Sequence, residues 1–257
     1  MKDTMATGGI PRIDHDDAAA VATSVYERML VLLEQLDPDD WSRPTDCAAW
    51  DVADIVGHLI GAAKGHASLR EMARQFRHGK GNAEAFDGNE MDAMNDLQVR
   101  DHAGLSPEER VVALREIAPA AVRKRTTLPR LLGRIPVPIA AGVGSLPEGL
   151  APSVPLRHLN DVVLTRDVLM HRIDIARATD RDPALDDEAD RLVVSDAVAE
   201  WADNHGRPFE LRLDGPAGGT FRRGSGGPTV SSDVVEFCRA VTGRCTADGL
   251  LATPVLF

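Results

Sequence analysis

The sequence predicts an α+β protein, a four-helix bundle followed by a small α+β domain. Three observations carry this. Apolar residues recur at helical spacing through four long stretches between Asp14 and Ala178. From Asp182 onward the texture changes to short alternating runs joined by glycines. The composition, 43% hydrophobic but only 4% aromatic over 257 residues, is enough for a core built mostly from Ala, Val and Leu. The boundary falls at Arg181, giving domains 1–181 and 182–257.

Residues 1–12 read as a loose tail. Helix one is expected over 14–36, ended by Pro38. The stretch WSRPTDCAAW (Trp41 to Trp50) is a connector broken by Pro44 and Thr45. Helix two is expected over 51–78, with Val52, Ile55, Val56, Leu59, Ile60 and Ala63 on its apolar arc. GKGNAEAFDGNE (79–90) reads as a Gly-rich loop, followed by a polar helical stretch to about Arg100. Ser106 and Glu109 form a capping-box pattern around Pro107, so helix three spans 107–126, with Pro119 expected to perturb it. The Pro/Gly-rich segment 129–155 is long and irregular, and its apolar content makes it a candidate cover for a site. Helix four spans 156–178, and no sheet is expected within 14–178. Beyond the boundary come a helix at 186–204, short strands in FELRLDG, GGTFRRG and GPTVSS, a short helix in VVEFCRAVTGR, and a possible strand in LLATPVLF.

The formal net charge is −11. Nucleic-acid binding needs a basic face for phosphates, so that class is set aside. The N-terminus lacks the apolar core of a secretory signal, and no run approaches the ~18 apolar residues of a membrane span. The three cysteines, Cys47, Cys238 and Cys245, show no CxxC spacing. A cytoplasmic protein with small buried thiols is expected.

The stretch TRDVLMHRIDIA (Thr165 to Ala176) sets Asp167 and His171 among apolar residues. At i and i+4 they share one helix face, about 40° apart around the axis. A local Asp–His hydrogen bond in a partly open groove would account for the pair. So would a cation, since a buried carboxylate needs a partner. His58 lies at the edge of the apolar arc of helix two; alone it reads as a core histidine, and as a third group it completes an N₂O ligand set. His66, two turns away, fits less well.

Two of these stretches carry a family resemblance. WSRPTDCAAWDVADIVGHLIGAA resembles the "W…PT.C..W…HL" opening of the mycothiol-dependent maleylpyruvate isomerase family, part of the DinB-like group of metal-binding four-helix bundles. DVLMHRIDIARA resembles its "E…H..D.a" helix, and VVEFCRAVTGR the end of its small α+β domain. The resemblance covers most of the chain. It implies a divalent metal, zinc by preference, on His58, Asp167 and His171, with Asp167 standing where the family has Glu. It implies mycothiol as thiol cosubstrate, a small-molecule substrate and a catalytic role for Arg244. As a helix C-terminal charge favoured by the dipole, Arg244 also has a purely structural account. Two function classes stay open: a metal- and thiol-dependent isomerase or transferase, and a non-catalytic metal-binding DinB-like protein acting as a binding or stress-response module.

Overall fold

The structure is a computed structural model that describes residues 9–129, 131–139 and 146–257. Helices α1 (Ala18–Leu33), α2 (Val52–Ala67), α3 (Leu69–Asn82), α4 (Glu90–His102) and α5 (Pro107–Thr126) come first. A two-stranded ribbon of β1 (Pro136–Pro138) and β2 (Ser153–Pro155) follows. Helix α6 (Leu156–His158) runs through one π-helical turn (Leu159–Val163) into α7 (Leu164–Ala178). Then come α8 (Glu188–His205), β3 (Phe209–Asp214), β4 (Gly219–Arg223), β5 (Thr229–Asp233) and α9 (Val234–Val241).

The bundle is made by α1, α2, α5 and α7, which pack on one another, while α3 and α4 form a hairpin against α2. The predicted capping box starts α5: Ser106 Oγ accepts from the Glu109 N–H and Glu109 Oε2 from the Ser106 N–H. Pro119 does not break that helix. It lies on the exposed side, where water can satisfy the carbonyl that its missing N–H leaves free. In the C-terminal part, β3 pairs antiparallel with β4 and parallel with β5. Phe209, Leu211 and Leu213 alternate inward as the sequence predicts. One buried cluster runs from Ile13 through the bundle and α8 to Val255, and α9 packs against α7 as well as α8. No helix of the described residues is long and apolar enough to cross a membrane.

Several expectations are corrected. The single helix expected over 51–78 is two, broken at Ser68, whose extended backbone lets its hydroxyl cap α3 through the Glu71 N–H. Helix α3 then continues to Asn82, into the stretch expected to be loop. The ribbon β1/β2 is a sheet within 14–178 where none was expected; it pairs only with itself, outside the bundle. The C-terminal strand is instead a 3-10 turn (Gly249–Ala252) and an extended tail. Pro11 and Ile13, expected in or beside a loose tail, are tied to α8: the Pro11 carbonyl accepts from Ser195 and the Ile13 N–H donates to Asp196. Residues 1–8 of that tail lie outside the described residues. So do 140–145, the centre of the segment expected to cover a site.

Candidate metal centre

Helix α2 brings in His58 and α7 brings in Asp167 and His171. Both histidines are buried, and the Asp167 side chain is 21% exposed. Asp167 Oδ2 lies 3.7 Å from His58 Nε2, and Asp167 Oδ1 lies 3.4 Å from His171 Nε2. One ligand atom from each of the three falls within 4.8 Å of the others. The i, i+4 spacing predicted the Asp167–His171 half; the crossing of α2 over α7 supplies the other. His66 is not in the cluster. Burial, reinforced by the Arg125 charge, lowers its pKa to about 4.

The tautomer of His58 follows from a buried chain of amides. The Gly61 carbonyl can only accept, so Gln75 turns its amide nitrogen there, at 2.9 Å. Gln75 Oε1 then faces the Gln98 nitrogen at 2.8 Å, and Gln98 Oε1 is left for His58 Nδ1, also at 2.8 Å. Nδ1 therefore donates, which leaves Nε2 as the ring nitrogen that faces Asp167. The chain needs two glycines. A Cβ at Gly61 would sit 2.5 Å from Gln98 Cβ, and one at Gly65 would sit 2.8 Å from Gln75 Oε1. Leucine at 98 would leave Nδ1 without its partner, and metal affinity should fall by about 10–100-fold, measured by competition with a chromogenic chelator. Unchanged affinity would remove Gln98 from the site.

His171 is held from the other side. Its Nδ1 lies 3.1 Å from Asp174 Oδ2. Arg244 donates to the same carboxylate through Nε (2.6 Å to Oδ1) and Nη2 (2.8 Å to Oδ2). Arg244 thus sits beside the cluster, and its two-pronged edge grips Asp174. Its Nη1 is buried without a partner among the described residues, and Phe257 lies over the guanidinium at 4.4 Å. Cys47 Sγ is 3.5 Å from Asp174 Oδ2. Cys47, His171 and Asp174 are close enough to form a second ligand group, but Asp174 is already taken by Arg244. Trp50 packs across both imidazoles, 4.9 Å from His58 and 6.0 Å from His171.

Two imidazole lone pairs and a carboxylate facing each other repel unless a cation or a proton lies between them. The charges and burial around the site set the same balance. Burial pushes the Asp167 carboxyl up, but the His171 and His58 imidazoles beside it outweigh that and hold it well below the usual range. Burial pushes His171 down, but Asp167 and Asp174 carry it well above its usual range. Without another cation, His171 therefore carries a proton. The donor set is also right for zinc: two ligands at about 2.0–2.1 Å and tetrahedral angles stand about 3.4 Å apart. The shorter Asp167 already meets that spacing.

Gln98, Asp174 and Trp50 were given no role from the sequence, although Asp174 and Trp50 stand in the quoted motifs. Asp174 had a signal, the i+3 spacing from His171; Gln98 had none, being forty residues from its partner.

The sequence matches the profile of the mycothiol maleylpyruvate isomerase N-terminal domain over residues 23–176, more than half of the chain. The fold is similar to the crystal structure of the mycothiol-dependent maleylpyruvate isomerase, with TM-score 0.55 and 13% identity over 91% of this chain and 90% of that one. It is equally similar to the crystal structure of a histidine-to-alanine mutant of that isomerase, with TM-score 0.54 and 14% identity over 91% of this chain and 90% of that one. At such identities the likeness speaks to the fold alone. No curated protein matches the sequence. The profile match extends from α1 through the helix that bears Asp167 and His171, and this chain belongs to the mycothiol maleylpyruvate isomerase N-terminal domain family.

Proposed function

We propose that His58, Asp167 and His171 hold a divalent metal ion, zinc by preference, and that the protein is a mycothiol-dependent isomerase or thiol transferase. The observation that carries this is that one ligand atom from each of His58, Asp167 and His171 lies within 4.8 Å of the others. Zinc held by these three residues would lower the pKa of a thiol brought to it and so supply thiolate at neutral pH. No cysteine of the chain is needed as nucleophile. Burial drives the Cys238 thiol to about 12.

The chain's own residues do the rest. Gln98 and Asp174 fix the two imidazoles with their Nε2 atoms inward. Trp50 shields one side of the rings from water. Arg244 acts mainly by positioning Asp174, and through it His171. Its remaining donor, Nη1, is buried, so meeting an anionic substrate would require Phe257 or the guanidinium to move. A full two-pronged grip on a substrate carboxylate would require Arg244 to release Asp174.

The test is metal content together with turnover of maleylpyruvate with and without mycothiol. One metal per chain and thiol-dependent turnover are expected. Metal without turnover would favour the non-catalytic metal-binding reading; neither metal nor turnover would end both. Metal binding should also weaken with acid. Because His171 holds its proton above its ordinary pKa, protons should compete from a pH above about 6.5 downward. Zinc affinity flat from neutrality to well below that pH would show that His171 is not a ligand.

A further inference from the structure

Arg244 is shut away beneath a side chain that is itself exposed. Its guanidinium gives Nε and Nη2 to Asp174, and its side chain is 4% exposed. The third nitrogen, Nη1, is buried without a partner among the described residues. Over one face of this guanidinium lies the ring of Phe257, with its centroid 4.4 Å from Cζ. Phe257 is 42% exposed. The chain leading to it is tied down residue by residue. The Pro254 carbonyl accepts from Asn204 Nδ2 at 2.8 Å, and the Val255 N–H donates to the Val241 carbonyl at 2.9 Å. The Leu256 N–H donates to Glu200 Oε1 at 2.7 Å, and the Leu256 carbonyl accepts from Arg166. No hydrogen bond holds Phe257 among the described residues. Its ring can turn about its own bonds while the residues before it stay in place.

Two movements would free the arginine: the guanidinium lets go of Asp174, or the ring leaves. The first breaks a two-pronged, charge-assisted pair inside the fold. The second breaks one cation–π contact, worth roughly 2- to 30-fold in the closed population. Exposed side chains also change rotamer within picoseconds to nanoseconds. The ring is therefore the part that moves. We propose that Phe257 is an autoinhibitory cover on Arg244, and that a carboxylate ligand reaches Nη1 by displacing it. With the ring in place, water is kept from one face of the Arg244–Asp174 pair, and Arg244 serves only to position Asp174 and His171. With the ring away, Nη1 meets the carboxylate while Nε and Nη2 keep their hold on Asp174. His171 thus keeps its partner in both states. This rests on the reading of Arg244 as the residue that meets an anionic substrate.

Labelling of the full chain with phenylglyoxal, an arginine-specific dicarbonyl, read out at each arginine by peptide mass spectrometry, tests this without metal or turnover. Arg222, whose side chain is 56% exposed, is the open reference, and fully buried Arg172 reports on folding. In the parent, Arg244 should label far more slowly than Arg222. Phe257→Ala should speed labelling of Arg244 by roughly 2- to 30-fold and leave both references unchanged. Phe257→Trp, with the stronger cation–π ring, should hold the rate at or below that of the parent. Maleate, as a dicarboxylate probe, should protect Arg244 in Phe257→Ala at a concentration lower by the same factor than in the parent. Equal labelling of Arg244 in the parent and Phe257→Ala would show that the rest of the fold seals it. Labelling as fast as Arg222 in the parent would show that nothing covers it. No protection by maleate in either protein would show that the uncovered arginine takes no carboxylate. Each of these overturns the proposal. The expected labelling with no turnover of maleylpyruvate would uphold the cover and count against the isomerase reading.

Discussion

Asp190→Ala should destabilise the fold by about 3–5 kcal/mol, the cost of leaving one charge of a buried pair alone. Arg172 on α7 and Asp190 on α8 are both fully buried, with Arg172 Nη2 2.6 Å from Asp190 Oδ1. Arg172 Nε, Nη1 and Nη2 make no hydrogen bond among the described residues, so the charge of Asp190 is the nearest compensation that guanidinium has. Removing it leaves a cation deep between two helices. The pair need not be a net stabiliser. Burial raises the Asp190 pKa above its ordinary value, and the Arg172 charge offsets only part of that. A carboxyl with a raised folded pKa costs stability above that pKa, and the cost is relieved as pH falls through it toward the ordinary carboxylate pKa. The double replacement Arg172→Met with Asp190→Leu should therefore recover most of the loss. Denaturant unfolding of the single and double variants checks both statements. A loss below about 1 kcal/mol in Asp190→Ala would mean that water reaches Arg172.

The second large effect is on metal binding. His171→Ala and Asp167→Ala should each abolish stoichiometric metal, because each removes one of the three proposed ligands and His171 also meets the Asp174–Arg244 pair. Sequence alone makes Asp167 the weak point, one methylene short of the family's Glu, so that Asp167→Glu should keep or raise affinity. The geometry reverses that expectation. Asp167 oxygens already stand 3.4 and 3.7 Å from the two Nε2 atoms, near the spacing of about 3.4 Å that tetrahedral zinc requires. A longer side chain on the same backbone must buckle to stay in place. Asp167→Glu should therefore bind zinc no more tightly than the parent. Titration against a competing chelator measures this, and tighter binding in Asp167→Glu would show that α7 lies too far back for aspartate. Metal retained in His171→Ala would remove the site altogether.

Much of the architecture was legible because it rests on local periodicity. The capping box at Ser106 and Glu109, the inward alternation of Phe209, Leu211 and Leu213, and the shared face of Asp167 and His171 are all set by neighbours within a few residues. The break at Ser68 was missed because a serine within an apolar-periodic run looks like a solvent position until its side chain is seen capping the next helix. The ribbon β1/β2 was missed because its strands are three residues long and carry prolines, which read as irregular.

The sequence by itself determined which residues could ligate, since ligand chemistry belongs to the side chain and i, i+4 spacing to the helix. It also determined the fold class, since hydrophobic period decides between helix and strand. Only the tertiary structure decided how the ligands are held. Gln98 reaches His58 because Gly61 lets α4 approach α2, and Arg244 reaches Asp174 because α9 packs on α7. Those contacts join residues forty and seventy positions apart. Nothing local distinguishes such partners, because their hydrogen bonds exist only after the helices have packed and water has been driven out from between them.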